Sequence, residues 1–415
     1  MRQTRVDRSD AAEILLEDMT FMIAESSAMD TNGRADSYFR SNGHAAEGGF
    51  SGPHPITLPE RLLAHLRVPY GLRCVPRDKI AKIAPSPSSW HAGDIALARL
   101  EKIGKNARLE LANGRPSVLH VGDHAAVVFG NRYATMQFEG YARHRGDECD
   151  LLSTGGLCGL VESKHDSVPE STKLRLLGAL ADAEGRPLRL ADFHLPPIDG
   201  VVEPPVVVVC GTSMDAGKTY TATSLIQGFR RLGVDVAGIK LTGTAAGRDT
   251  WGMLDAGACA ALDFIDGGLP STYRTSLEEL LRLRQLLVSH AAQRGADWVV
   301  MEIADGLLQE ETAALLHSPE FVSSVHAWVF AAGDALSAAA GVRLMREWNI
   351  PPVAVSGRVT MSPLGMREAE AATRVPYIPA RALQAGELAS WLISERTSIT
   401  TLRDRFEAVV PCTGT

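Results

Sequence analysis

Val206-Val207-Val208-Val209-Cys210-Gly211-Thr212-Ser213-Met214-Asp215-Ala216-Gly217-Lys218-Thr219 is the stretch that decides the fold. Four β-branched residues in a row read as a strand buried on both faces. A helical pattern follows from Thr219 to Leu232 and stops at Gly233. A Gly-rich turn between such a strand and such a helix gathers backbone N–H groups into one concavity. That concavity lies at the positive end of the helix dipole, where the phosphates of a nucleotide are favoured. In this setting Lys218 is expected to reach the terminal phosphates and the Thr219 hydroxyl to ligate magnesium.

Beyond this loop, strands alternate with long helical stretches. Val234–Leu241, Trp298–Ile303, Ala327–Phe330 and Val353–Val355 read as further strands, with Leu277–Gln293 and Leu336–Trp348 as helices between them. Such alternation predicts an α/β fold, a mostly parallel sheet wrapped by helices. Upstream, the proline-rich Leu195–Pro205 marks a boundary. From Ile56 to Asp199 the pattern is one of short alternating segments broken by turns. Arg108–Leu111 and Ser117–Val121 flank Asn113-Gly114, which is a hairpin signal. This half is expected to be a β-rich domain, a small barrel or sandwich. Two of its loops, Gly130-Asn131-Arg132-Tyr133 and Thr154-Gly155-Gly156, are candidate substrate contacts, although residues of this kind often serve only as turns. Residues 1–55 read as a helix, Ala11–Glu25, followed by a flexible segment, Thr31–Pro55. The expected organisation is therefore 1–55, a β-rich domain over 56–199, and a nucleotide-binding domain over 200–415.

Composition narrows the function classes. The chain has 415 residues and a net charge of −7, which gives no electrostatic footprint for nucleic acid or an acidic membrane surface. Its six cysteines include no CxxC pair, which argues against a zinc site or a disulfide framework. No signal peptide and no bilayer-length apolar run is evident, so a cytoplasmic location is expected.

Five residues separate Gly211 from Gly217, one more than the usual phosphate loop has. This spacing resembles dethiobiotin synthetase, whose loop reads Gly-Thr-Asp-Thr-Glu-Val-Gly-Lys-Thr; Ser213 replaces the family's first acid and Asp215 keeps an acid where the family has Glu. Ala237-Gly238-Ile239-Lys240-Leu241 resembles the segment carrying the family's second lysine, which implies that Lys240 lies beside phosphates and substrate. Ala296-Asp297-Trp298-Val299-Val300-Met301-Glu302 resembles the family's Ala-Asp-Trp-Val-x-x-Glu, which implies a magnesium role for Glu302. Asp305 follows it and suits either an altered substrate wall or a helix N-cap. For the remaining metal carboxylate, Asp249 and Asp255 compete, and Asp255 matches slightly better by its distance from Lys218. Ser356 and Gly357 stand where the family carries its base-reading Asn. The resemblance spans roughly residues 205–395. A weaker one, through the Gly-rich stretch before Asp263-Phe264, is to a family of P-loop proteins linked to N-acylation of amino acids.

The resemblance implies an enzyme that uses ATP and Mg²⁺ to activate a small-molecule substrate by phosphoryl transfer, working as a homodimer. Two other readings stand beside it: a slow or non-catalytic NTPase acting as a switch or assembly module, and an acyltransferase on the same fold.

Overall fold

The short strands of the first half close on themselves, and those of the second half lie side by side in one direction. The computed structural model describes residues 54–395. The helix expected at Ala11–Glu25 and nearly all of the segment expected at Thr31–Pro55 lie outside the described residues. In chain order the first half runs β1 (Ile56–Thr57), α1 (Glu60–His65), β2 (Lys82–Ala84), β3 (Ile95–Lys102), β4 (Arg108–Glu110) and β5 (Pro116–Val118). It continues through β6 (His124–Phe129), β7 (Phe138–Tyr141), β8 (Glu148–Leu151), β9 (Leu157–Lys164) and β10 (Thr172–Ala181).

The eight-stranded sheet has the order β1-β2-β10-β3-β6-β9-β7, and β8 pairs with both β10 and β9. Strand β8 thereby closes β10, β3, β6 and β9 into a five-stranded barrel. So few strands leave a narrow interior. Alternate residues fill it, and many are small: Ala96, Ala98, Ala125, Ala179 and Ala181 lie in one buried cluster with Val127, Phe129 and Leu174. Of the barrel and sandwich expected from the alternating pattern, the barrel is what forms. The Asn113-Gly114 hairpin also forms, as β4 and β5 paired antiparallel.

The second half runs β11 (Val206–Gly211), α2 (Lys218–Arg231), β12 (Val236–Lys240), α3 (Arg248–Asp255), β13 (Ala260–Asp263), α4 (Leu277–Gln293) and β14 (Trp298–Glu302). It ends with α5 (Glu310–His317), α6 (Pro319–Ser323), β15 (Ala327–Ala331), α7 (Ala335–Glu347), β16 (Ala354–Ser356), α8 (Pro363–Thr373) and α9 (Ala380–Ala385). The sheet order is β13-β12-β14-β11-β15-β16, with every pair parallel. This is the expected P-loop-like α/β architecture. Strand β11 lies in the interior of the sheet and is buried along its whole length. One edge strand, β13, has no counterpart in the sequence reading, because Ala260-Ala261-Leu262-Asp263 is too short and too poor in β-branched residues to signal a strand. Phe229, Leu225 and Ile226 of α2 pack on Val207 and Val209 in the core beneath the sheet.

A polar cluster joins the two halves. The Arg73 guanidinium donates to Asp263 Oδ1 at 2.8 Å and to Asp266 Oδ2 at 2.6 Å. The Tyr70 hydroxyl donates to Asp263 Oδ2 at 2.7 Å, and Arg73 lies over the Tyr70 ring. Removing the cation leaves two carboxylates buried without their partner, an arrangement that costs about 3–5 kcal/mol. Arg73→Met should therefore lower the unfolding free energy by about that amount, read as a fall in the urea midpoint. Arg73→Lys, which keeps the charge and loses the fork, should recover only part of it.

Candidate functional site

The loop between β11 and α2 has the conformation its residues call for. Gly217 adopts φ +99° and forms the N-terminal boundary of α2, where no side chain caps the helix. The helix thus begins with open N–H groups facing the loop. Gly211 matters for a different reason: a Cβ there would fall 2.9 Å from Lys218 Cγ, so its absence lets the lysine stem cross the strand end. Lys218 is buried, and its ammonium donates to the Ser213 carbonyl at 2.7 Å. Burial lowers its pKa, with Glu302 and Asp305 opposing that shift. Thr212, Ser213, Met214 and Asp215 form the outer arc of the loop, with Ser213 and Asp215 exposed and Asp215 at φ +63°. Ala216 is buried, and its carbonyl accepts from Arg358 N at 3.0 Å.

Register brings the acids to this loop. In the parallel ladder Lys240 is opposite Glu302 on one side and Asp263 on the other, and Glu302 is opposite Val209. A row of polar residues therefore crosses the carboxyl ends of the strands, which is where open α/β sheets bind ligands. Thr219 Oγ1 lies 3.0 Å from Glu302 Oε1 and 3.0 Å from Asp249 Oδ1. The other Asp249 oxygen pairs with the Lys240 ammonium. Glu302 is 2% exposed, and its Oε2 is buried with no hydrogen-bond partner.

This donor set suits a hard divalent cation. One hydroxyl and two carboxylates meet at a point, and the orphaned Glu302 oxygen is a lone-pair donor that has been desolvated without compensation. Among the described residues no group of three or more His, Cys, Asp or Glu side chains could hold a metal alone. Thr219, Glu302 and Asp249 would hold a magnesium ion here, and it would supply positive charge to oxygen ligands beside the loop.

Of the two competing aspartates, the structure brings Asp249 to the loop and leaves Asp255 out of it. Asp255 is exposed at the last position of α3, about 9 Å along the helix from Asp249 at 1.5 Å per residue. Spacing along the chain favoured Asp255 because it counts residues and ignores helical direction. Ser356 is buried and its hydroxyl is committed to the Ile378 carbonyl at 2.8 Å. Gly357, at φ +89°, packs directly behind the loop, where a Cβ would fall 2.4 Å from the Ala216 carbonyl oxygen. Asp305 is not a helix cap: Gln309 caps α5, its side chain accepting from Thr312 N.

The barrel half contributes residues that no motif announces. Glu110 on β4 accepts from Gly247 N at 2.8 Å and from Trp251 Nε1 at 2.9 Å, clamping the start of the helix that carries Asp249. The Tyr70 hydroxyl is 2.6 Å from Thr250 Oγ1 on the same helix. Between the halves lies a cavity of about 450 Å³, bounded by Met214 and Lys240 on the parallel-sheet side and by Arg132, Tyr133 and Thr154 on the barrel side. Both loops singled out in the barrel sequence thus reach this cavity.

No family model matches the sequence, and no curated protein matches it. The likeness to dethiobiotin synthetase therefore remains one of motifs. Among solved structures, the chain is similar to the signal recognition particle 54 kDa protein of Aeropyrum pernix K1, at 19% identity and a TM-score of 0.31 over 51% of this chain and 54% of that one. It is also similar to the signal recognition particle receptor FtsY of Elizabethkingia anophelis, at 16% identity and a TM-score of 0.30 over 44% of this chain and 58% of that one. The matches span about half of this chain and little more than half of the other proteins. Likeness at this level concerns the fold and carries no argument about activity. Among the described residues no helix is long and apolar enough to cross a membrane.

Burial raises the pKa of Asp305 above the ordinary aspartate value, against the pull of Lys218 and Lys240. A carboxyl whose folded pKa is raised makes the folded state less favourable at neutral pH, and this cost disappears as pH falls through the raised pKa. Asp305 also sits at φ +63°, a conformation that asparagine tolerates. Asp305→Asn should therefore melt about 1–2 °C above the wild type at pH 7 without ligand. The difference should shrink as the pH is lowered toward the ordinary aspartate range, measured by calorimetric melting.

Proposed function

We propose that this chain is an ATP- and magnesium-dependent enzyme that transfers the terminal phosphoryl group to a small molecule held between the barrel and the phosphate loop. The observation that carries this reading is the meeting of Thr219, Asp249 and Glu302, with a buried and unpartnered Glu302 oxygen, beside an uncapped helix N-terminus. A bound magnesium ion would neutralise charge between phosphate oxygens and orient them. Thr219 and Glu302 are the residues suited to hold it, with Asp249 ligating directly or through water.

The roles of the remaining groups follow from their positions. The backbone N–H groups of the loop and of the first turn of α2 would orient the phosphates. Lys218 has its ammonium on the Ser213 carbonyl, within the loop itself, and would exchange that bond for a phosphate oxygen. Lys240 is held at the sheet edge by Asp249 and lines the cavity, a position from which it can neutralise charge on the transferring group. Transfer breaks the bond between the β-phosphate bridging oxygen and the γ-phosphorus, forms one from that phosphorus to an acceptor atom, and releases ADP. The role of the chain is mainly positioning and charge neutralisation.

The cavity favours a small-molecule enzyme over a switch or assembly module, since a switch needs no substrate-sized cleft beside its phosphates. A homodimer is part of the same proposal by resemblance only. Ser356 and Gly357 support no particular base, because the hydroxyl of the first is spent on backbone and the second is packed behind the loop.

Titration calorimetry of ATP and GTP with Mg²⁺ tests the reading. The wild type should bind ATP, and Lys218→Ala should lose on the order of ten- to a hundredfold in affinity, as expected for charged hydrogen bonds. Glu302→Gln should weaken the dependence of nucleotide binding on magnesium more than binding in the metal's absence, and Asp255→Asn should change neither. If well-folded wild type takes up neither nucleotide, the proposal fails. ADP release that proceeds at the same rate with and without every added metabolite would instead favour the slow NTPase.

A further inference from the structure

Arg132 is a half-buried cation that the nucleotide site does not use. It follows β6 in the loop Gly130-Asn131-Arg132-Tyr133 and lines the cavity opposite Lys240. One guanidinium nitrogen donates to the Leu152 carbonyl, and its Nε is buried with no partner. The planar face lies 5.8 Å from the centre of the Phe138 ring, which holds the group in the barrel wall. Burial, opposed by Asp305, brings the Arg132 pKa down to about 10, so the group is still charged at neutral pH.

A charge drawn largely out of water without an ion-pair partner is costly, and in a cleft it marks a candidate site for a ligand of opposite charge. The other cations of the cavity are disposed differently. Lys240 is already paired with Asp249, and Lys105 is exposed at the cavity wall. Arg132 is thus the half-buried positive charge of the cavity that forms no ion pair with a described carboxylate, Asp305 acting on it only from a longer distance. Its fork geometry suits a planar, two-oxygen anion.

Building on the phosphoryl-transfer reading, we infer that the acceptor is a small carboxylate whose carboxyl group is bound by Arg132 at the barrel wall, its other end directed toward Lys240 and the phosphate loop. The volume of about 450 Å³ is that of a small-metabolite site. Ala134, Ala246 and Ala304 supply short apolar wall, and Thr154 and Thr244 supply hydrogen-bonding groups. Asp305 shares the cavity, so a doubly charged phosphate ester would meet more repulsion there than a singly charged carboxylate. The barrel on this account is the substrate-selecting half, and the parallel-sheet half carries the phosphate chemistry.

The test is calorimetric titration of the full chain with acetate, succinate, glutarate and inorganic phosphate, each with and without Mg²⁺ and a non-hydrolysable ATP analogue. At least one carboxylate should bind, and Arg132→Gln should weaken it on the order of ten- to a hundredfold. Arg132→Lys, which retains the charge without the fork, should fall between them and serves if the neutral variant does not fold. Three results would overturn the assignment: no carboxylate binds, Arg132 variants bind as the wild type does, or inorganic phosphate binds in an Arg132-dependent way more tightly than any carboxylate. Nucleotide affinity read in the same titrations separates the two proposals. Lost nucleotide binding with intact carboxylate binding strikes the phosphoryl-transfer reading alone, and the reverse strikes this one alone.

Discussion

A hydroxyl has one proton to give, and Thr219 stands at 3.0 Å from two carboxylates. It can donate to only one of them at a time. Two acids drawn to one oxygen repel each other unless positive charge is near, and Lys240 supplies it to one oxygen of Asp249 only. The buried Glu302 Oε2 accepts no hydrogen bond, and the Lys218 charge acts on Glu302 without one. Much of the surrounding structure serves to hold this uncompensated geometry in place. The parallel register sets Glu302 beside Lys240, the Gly217 turn starts α2 one residue before Thr219, and the barrel clamps the helix that carries Asp249.

The barrel and the parallel sheet divide the work according to their cores. A five-stranded barrel has a narrow interior, filled here largely by alanine and leucine, so its cavity-forming residues must lie on loops at its rim. Those loops face the carboxyl ends of the parallel strands, which is also where β11, β12 and β14 end in Gly211, Lys240 and Glu302. The junction is polar because both rims are polar. Tyr70, Arg73 and Glu110 satisfy acids, a helix N–H and an indole N–H on the other half, although Arg73 Nη1 is buried without a partner.

Several groups at the site are held in states that disfavour the ligand-free fold. Lys218 and Asp305 are both shifted by burial against their charged forms. Asp215 and Asp305 both take positive φ, which non-glycine residues adopt at some cost. Such features also occur elsewhere, as at Asn349 and Arg374, but Lys218 and Asp305 bring two of the shifted charges close together beside one cleft.

The phosphate loop, its strand and helix, and the alternation that makes the sheet parallel were legible in the sequence because each depends on neighbours in the chain. A β-branched run, a Gly-rich turn and a helical period are local, and local propensity and sterics suffice to produce them. Lys240 and Glu302 were reachable only through resemblance of motifs, since nothing in their own spacing says that two strands about 60 residues apart will pair in register. The choice of Asp249 over Asp255, the clamp of Glu110 on Gly247 and Trp251, and the enclosure of Arg132 were decided by the tertiary structure alone. Each depends on the direction of a side chain across a contact between elements far apart in the chain, and that direction is set by packing rather than by sequence distance.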